Sequence, residues 1–309
     1  MSYFRTRNQE ISIKIRPTEA SSDILFNRSE DLYKEITSFL MQKYPEKFNT
    51  FLQEKVGIDF FTKKILFNEN FSFVKFGDGE LICMIGAIGK NCDHHPYSKR
   101  LGRLLEESFV NLLRLYNDTY LAEWIDNLVK TRENYINLNG LKPKFADYEC
   151  FLTLEENLTD KKLLNFYKLI KYSKRNKIFV GPKKLRPVVE MLNIDKFVEV
   201  PIIDAFSSYD SVLKDLIDYE VKNDNIYIFC CSMMSCVLCS DLKEINQNIT
   251  LLDIGSGFDP IFSEKTRPKQ PTIEKCLEYY KDIIPSSFKV KKTKSAVGKL
   301  NKSLSKLMN

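Results

Sequence analysis

Apolar residues recur along this chain with two different periods, and the changes of period mark its elements. Leu32, Ile36, Phe39, Leu40 and Tyr44 stand at three- and four-residue spacings, which predicts a helix over residues 28–55. Residues 1–22 mix charge with Ser, Thr and Pro, show no period, and read as an arm. The aromatic and β-branched run Phe71-Ser72-Phe73-Val74-Lys75-Phe76 is cut by Gly77, which predicts a strand ending in a turn. An apolar helix is expected from Leu81 to Ile88. A longer one follows over 98–116, where Leu101, Leu104, Leu105, Phe109, Leu112 and Leu113 form one stripe.

From residue 145 onward helices and strands alternate. Helix 159–174 leads to strand 177–180, stopped by Gly181-Pro182, and helix 183–193 leads to strand 197–200, stopped by Pro201. Helix 208–221 leads to strand 225–229, and helix 233–245 to strand 249–254, stopped by Gly255. Such alternation implies a parallel sheet covered on both faces. The expected fold class is therefore α/β: a Rossmann-like, mostly parallel sheet with helices on both faces and a helical N-terminal extension. Ligands of such sheets bind beyond the carboxyl ends of the strands, so the residues just after each strand carry the interest.

Gly77-Asp78-Gly79-Glu80 is the first of these ends. Two carboxylates in a glycine-flanked turn can converge on a hard cation, Mn²⁺ or Mg²⁺, which in turn grips phosphate oxygens. Gly77 and Gly79 permit positive φ and close approach of a ligand. The plain alternative is a turn in which Glu80 only caps the next helix. Asn91-Cys92-Asp93-His94-His95-Pro96-Tyr97 holds both histidines of the chain. Neighbouring residues of one loop rarely converge on zinc, and no second Cys/His pair stands at ligand spacing, so a substrate-facing or solvent loop is the better reading.

Cys230-Cys231-Ser232 ends another strand, where free backbone N–H groups at a helix start can cradle phosphate. Cys236 and Cys239 beyond it read as buried, inert thiols. Leu251-Leu252-Asp253-Ile254-Gly255-Ser256-Gly257 resembles the first motif of S-adenosylmethionine-dependent methyltransferases. That motif normally opens a sheet, whereas here it falls near the end of the chain. No Walker-type phosphate loop and no GxSxG nucleophile turn occur.

Composition narrows the classes further. The 28% of charged residues is ordinary for a globular chain, and the uncharged run 226–240 is shorter than the roughly 20 apolar residues of a membrane span. The first ten residues contain no apolar secretory core. Eight cysteines in apolar surroundings suggest reduced thiols. Seven lysines and no acid follow residue 283, so subtracting +7 from the net +6 leaves the body at −1. Charge therefore does not make the body a nucleic-acid partner. In the tail, Val297, Leu300, Leu304 and Leu307 recur at helical spacing among lysines, a pattern able to lie on an anionic membrane surface. A cytoplasmic chain with peripheral membrane contact through its tail is expected.

Together these stretches resemble the GT-D-type glycosyltransferase family, formerly a domain of unknown function, over residues 71–262. Phe73-Val74-Lys75-Phe76-Gly77-Asp78-Gly79-Glu80 is similar to that family's strand and Asp-X-Glu motif, and 91–98 to its Asp-Gly-His-Pro-Tyr-Ser stretch. Val180-Gly181-Pro182 with Leu185-Arg186, and Asp253-Ile254-Gly255, follow in the same order. The family carries Arg where Lys75 stands and Gly where His94 stands. Its Gly-Pro-Met-Ala-Lys segment is replaced here by Ser232-Met233-Met234-Ser235-Cys236.

The resemblance implies a metal-dependent glycosyltransferase that moves a sugar, glucose first among them, from a UDP-sugar to a glycan or glycoprotein. Asp78 and Glu80 would hold the Mn²⁺ or Mg²⁺ and the diphosphate, with Lys75 as counter-charge. Gly77, Gly79, Asp93, Ser232 and Gly255 would bind the donor, and Asp253, Asp93 and His95 are candidates for activating the acceptor hydroxyl. Residues 1–60 are expected as arm and helical extension, 61–285 as the catalytic domain, and 286–309 as the basic tail. Two alternatives stay open: a methyltransferase built on the Asp253 turn, and a non-catalytic nucleotide-sugar or glycan-binding protein of the same fold.

Overall fold

The computed structural model describes residues 55–123, 129–262, 267–285 and 288. The chain divides between Glu54 and Lys55, and every described residue belongs to the second part. The arm, residues 28–54 of the first expected helix, and the tail's amphipathic pattern lie outside the described residues.

In chain order the elements are β1 (Lys55–Val56), α1 (Ile58–Leu66), β2 (Ser72–Lys75), α2 (Asp78–Met84), α3 (Lys99–Leu115) and β3 (Thr119–Glu123). Then come α4 (Val129–Leu138), β4 (Lys144–Asp147), α5 (Lys162–Tyr172), β5 (Lys177–Pro182), α6 (Val188–Leu192) and β6 (Lys196–Val200). The series ends with α7 (Tyr209–Asp218), β7 (Ile226–Phe229), α8 (Met234–Ile245), β8 (Thr250–Asp253), α9 (Asp259–Phe262) and α10 (Ile273–Tyr279). The eight strands form one sheet in the order β1-β4-β3-β2-β8-β7-β5-β6, and every neighbouring pair is parallel. The α/β class and the parallel sheet expected from the alternation are what the structure shows. Strands β1, β3 and β4 are additions to it.

Both faces of the sheet are covered, and β2 shows why its sequence has no polar alternation. Val74 and Phe76 enter one core with Leu105 and Phe109 of α3 and Val237 of α8. Phe71 and Phe73 enter the other core, with Phe61 of α1, Phe166 of α5 and Phe151 from the segment between β4 and α5. Ser98 caps α3, its Oγ accepting from Leu101 N–H at 3.1 Å. Gly102 lets α3 lie close on α2, since a Cβ there would stand 2.6 Å from Cys83 O.

The connections leaving β2 and β7 pack on the first face, through α2, α3 and α8. The connection leaving β8, through α9, packs on the second. Adjacent strands whose exits diverge leave a crevice at their carboxyl ends. That crevice is bounded by Gly77 after β2, Cys230 after β7 and Ile254 after β8.

Candidate active site

Gly77 is the N-cap of α2, so Asp78 and Glu80 are first-turn helix residues rather than parts of an open turn. The helix begins three residues before the Leu81 expected from apolar spacing. Side chains two apart on a helix leave about 200° from each other. Asp78 is exposed, and its Oδ1 accepts from Gly79 N–H at 2.9 Å. Glu80 folds back, and its Oε2 accepts from Gly77 N–H at 3.0 Å. Both carboxylates thus gather at a helix N-terminus, where the backbone favours negative charge.

The two glycines serve space rather than unusual dihedrals. Gly77 has φ −78°, and neither it nor Gly79 is left-handed. A Cβ at Gly79 would stand 3.1 Å from Asn91 Cβ, and one at Gly77 would stand 3.3 Å from both Glu80 Oε2 and Tyr148 Oη.

Beneath this turn sits a buried ammonium. Lys75 Nζ approaches Ile254 O at 3.4 Å and lies 4.2 Å from the centroid of the Tyr148 ring. Burial lowers the Lys75 pKa, and the Asp253 carboxylate offsets part of that. Asp253 is buried across the β2–β8 seam. Burial raises it to about 6, against the Lys75 charge and hydrogen bonds from Lys75 N–H, Ser235 and Gly255 N–H. Those donors occupy its oxygens, which makes Asp253 a seam staple for β2 and β8. Burial raises Glu80 to about 8, and Asp253 and Asp78 add to the rise. Near neutral pH the half-buried Glu80 therefore keeps its proton, and Asp253 faces the Lys75 ammonium.

Gly255, at φ +60°, occupies the left-handed region. A Cβ there would stand 3.6 Å from Lys75 Nζ, and one at Gly257 would stand 2.8 Å from Phe151 O. The chain's own Lys75 and Phe151 thus pack this glycine-rich turn, where the methyltransferase reading requires room for a cofactor.

The 91–97 loop is tied from several sides. Asn91 Oδ1 accepts from Asp93 N–H at 3.1 Å and His95 N–H at 2.9 Å, while its amide donates to Ser232 Oγ at 3.0 Å. Ser232 (φ +57°) and His94 (φ +66°) are both left-handed, and His94 is the position where the resembling family carries Gly. His95 Nδ1 accepts from Ala205 N–H at 3.2 Å, and burial lowers its pKa. Its neutral ring therefore carries the proton on Nε2, leaving no free lone pair for a base in this arrangement. Asp93 is bound by Arg267, Nη2 to Oδ2 at 2.8 Å. Burial pushes Asp93 up, but the hydrogen bond and charge of Arg267 outweigh it and hold the carboxyl below its usual value.

The structure thus brings Lys75, Gly77, Asp78, Gly79, Glu80, Asp253 and Gly255 together at the β2–β8 end, with Ser232 joined to them through Asn91. It turns His95 toward the β6 side. Sequence reasoning missed Tyr148 and Arg267, and it named Asn91 only as part of the 91–97 loop. Tyr148 stands just past β4, an unpredicted strand, and Arg267 lies in a stretch without any period.

A divalent cation fits this donor set only in company. Among the described residues no three His, Cys, Asp or Glu side chains are grouped to hold a metal. Mg²⁺ commonly takes one or two carboxylates and completes its shell with water and substrate phosphates. Asp78 and Glu80 supply two carboxyl groups, and a cation would oppose the burial and the Asp253 and Asp78 charges that raise Glu80.

No family model matches the chain. No curated protein matches it either. Among solved structures it is similar to a chain described as "The highly conserved domain of unknown function 1792 has a distinct glycosyltransferase fold", at 18% identity and TM-score 0.49, over 77% of this chain and 92% of that one. A second, described as "A New Glycosyltransferase (DUF1792) from Streptococcus sanguinis", shows 16% identity and TM-score 0.49, over 77% and 96%. A third, a selenomethionine-substituted structure of domain of unknown function 1792, shows 19% identity and TM-score 0.48, over 77% and 92%. Identity and TM-score are low, and the chemistry assigned below rests on this chain's own residues.

Proposed function

We propose that the chain is a metal-dependent glycosyltransferase acting on a UDP-sugar, glucose first among the donors, with a glycan or glycoprotein as acceptor. One observation carries this reading. Asp78 and Glu80, at a helix N-terminus over the buried Lys75, stand where the exits of adjacent parallel strands diverge. A net-acidic pocket does not attract a diphosphate by itself, and a shared Mn²⁺ or Mg²⁺ reconciles the two charges. When bound, the cation supplies charge stabilisation for the departing nucleotide. The protein's own part is to orient the carboxylates through Gly77 N–H and Gly79 N–H and to keep a cation beneath them. Tyr148 excludes water from that cation.

Donor hydrolysis measured with and without Mn²⁺ tests the enzymatic part. Release of UDP that needs both Mn²⁺ and intact Asp78 is expected. Metal-dependent donor binding without release, across a broad acceptor panel, would favour the non-catalytic alternative. The lysine-rich tail suggests contact with anionic membranes, and removing residues 289–309 should lower liposome binding while leaving soluble turnover intact. Among the described residues no helix is long and apolar enough to cross a membrane.

A further inference from the structure

Arg267 stands between two loops of the site. Its backbone N–H donates to Gln270 Oε1 at 3.0 Å, and Gln270 Nε2 donates in turn to Ser256 O at 3.1 Å, in the turn after β8. Gln270 is 1% exposed, so this anchor is fixed. The other end of Arg267 reaches the 91–97 loop, with Nη2 on Asp93 Oδ2 at 2.8 Å and near Cys92 Sγ at 3.6 Å. Its charge is felt at Tyr148 and at Cys92, the same two side chains that feel Asp78 and Glu80. Through the 91–97 loop, whose Asn91 packs against Gly79, the guanidinium is joined to the turn above Lys75.

Resting on the glycosyltransferase reading, we propose that Arg267 binds the donor's diphosphate, and that its pairing with Asp93 is exchanged for the ligand. The pair has the exposure of an exchangeable contact, with side chains 34% and 40% exposed. An ion pair of that kind contributes little stability, so a doubly charged ligand competes well for the guanidinium. A guanidinium offers planar, two-pronged hydrogen bonding that matches phosphate oxygens. The Gln270 anchor holds the backbone of Arg267, so only its side chain has to move.

The structural alternative is a clasp that merely holds the 91–97 loop. The two roles differ in sign. Calorimetry of UDP with Mg²⁺ is run on the wild type, Arg267→Ala, Arg267→Lys and Asp93→Asn, with thermal unfolding to confirm that each variant folds. Phosphate binding predicts about 10- to 100-fold weaker UDP binding in Arg267→Ala and a smaller loss in Arg267→Lys. It also predicts tightening of up to about fivefold in Asp93→Asn, which weakens the ion pair that competes with the ligand. Weakening of similar size in Arg267→Ala and Asp93→Asn would show a clasp and overturn the proposal. So would unchanged binding in Arg267→Ala while the wild type binds. No UDP binding by the wild type would instead remove the glycosyltransferase reading on which the proposal stands.

Discussion

The Lys75 ammonium lies 4.2 Å from the centre of the Tyr148 ring, a contact that joins β2 to the residue just past β4 across the intervening β3. The ring covers a buried charge and its hydroxyl stands beside Gly77. A cation over an aromatic face contributes about 0.5–2 kcal/mol, more as it is desolvated. Tyr148→Phe should keep that contribution and Tyr148→Leu should lose it. Chemical denaturation that finds both variants equally stable would argue against the contact as a source of stability.

Asp78→Asn and Glu80→Gln are each expected to lower donor hydrolysis on the order of 100-fold or more, with the far-ultraviolet circular dichroism unchanged. Both side chains sit at the helix start without joining either core, so the fold does not need their charge. Near-normal rates in both variants would reject the metal role.

Glu80 also sets a pH dependence. Its folded pKa is raised to about 8, so the folded protein holds this proton more tightly than the unfolded chain does. The stability it contributes is full below the ordinary carboxylate range and is lost as pH rises through about 8. Thermal unfolding of the cation-free protein should therefore show a falling Tm toward pH 8 that flattens in Glu80→Gln. A cation favours the carboxylate, so Mg²⁺ supplied together with UDP should raise the Tm more at pH 8 than at pH 6. An equal rise at both would contradict this account of Glu80.

His95 is expected to act on the loop rather than as a base. Replacing it by Ala leaves the Ala205 N–H without its acceptor, at a cost of about 1–3 kcal/mol. The acid limb of the donor-hydrolysis profile should stay where it is in the wild type. Its disappearance in His95→Ala would restore His95 as the titrating base.

Strands β2, β5, β7 and β8 were legible because burial on both faces fills their centres with apolar residues and leaves polar ones, such as Lys75 and Asp253, only at their ends. Lys144-Phe145-Ala146-Asp147 was not, because only its two middle residues are buried and four residues carry no period. Losing β4 also hid Tyr148. The Asp-X-Glu signal was visible in the residues, but the start of α2 was not. Gly77 has no side chain to signal a cap, and the apolar stripe begins only at Leu81. The partnerships of Asn91 with Ser232 and of Arg267 with Asp93 span more than a hundred residues, a separation at which local pattern carries no information.

The central claim is that Asp78 and Glu80 hold a cation which only a nucleotide sugar completes. Calorimetry of UDP-glucose with the wild type and with Asp78→Asn, each with and without Mn²⁺, measures this directly. The account predicts binding by the wild type that strengthens at least about tenfold with Mn²⁺, and no Mn²⁺ effect in Asp78→Asn. Binding by the wild type that is indifferent to Mn²⁺, or equal strengthening in the variant, would contradict it.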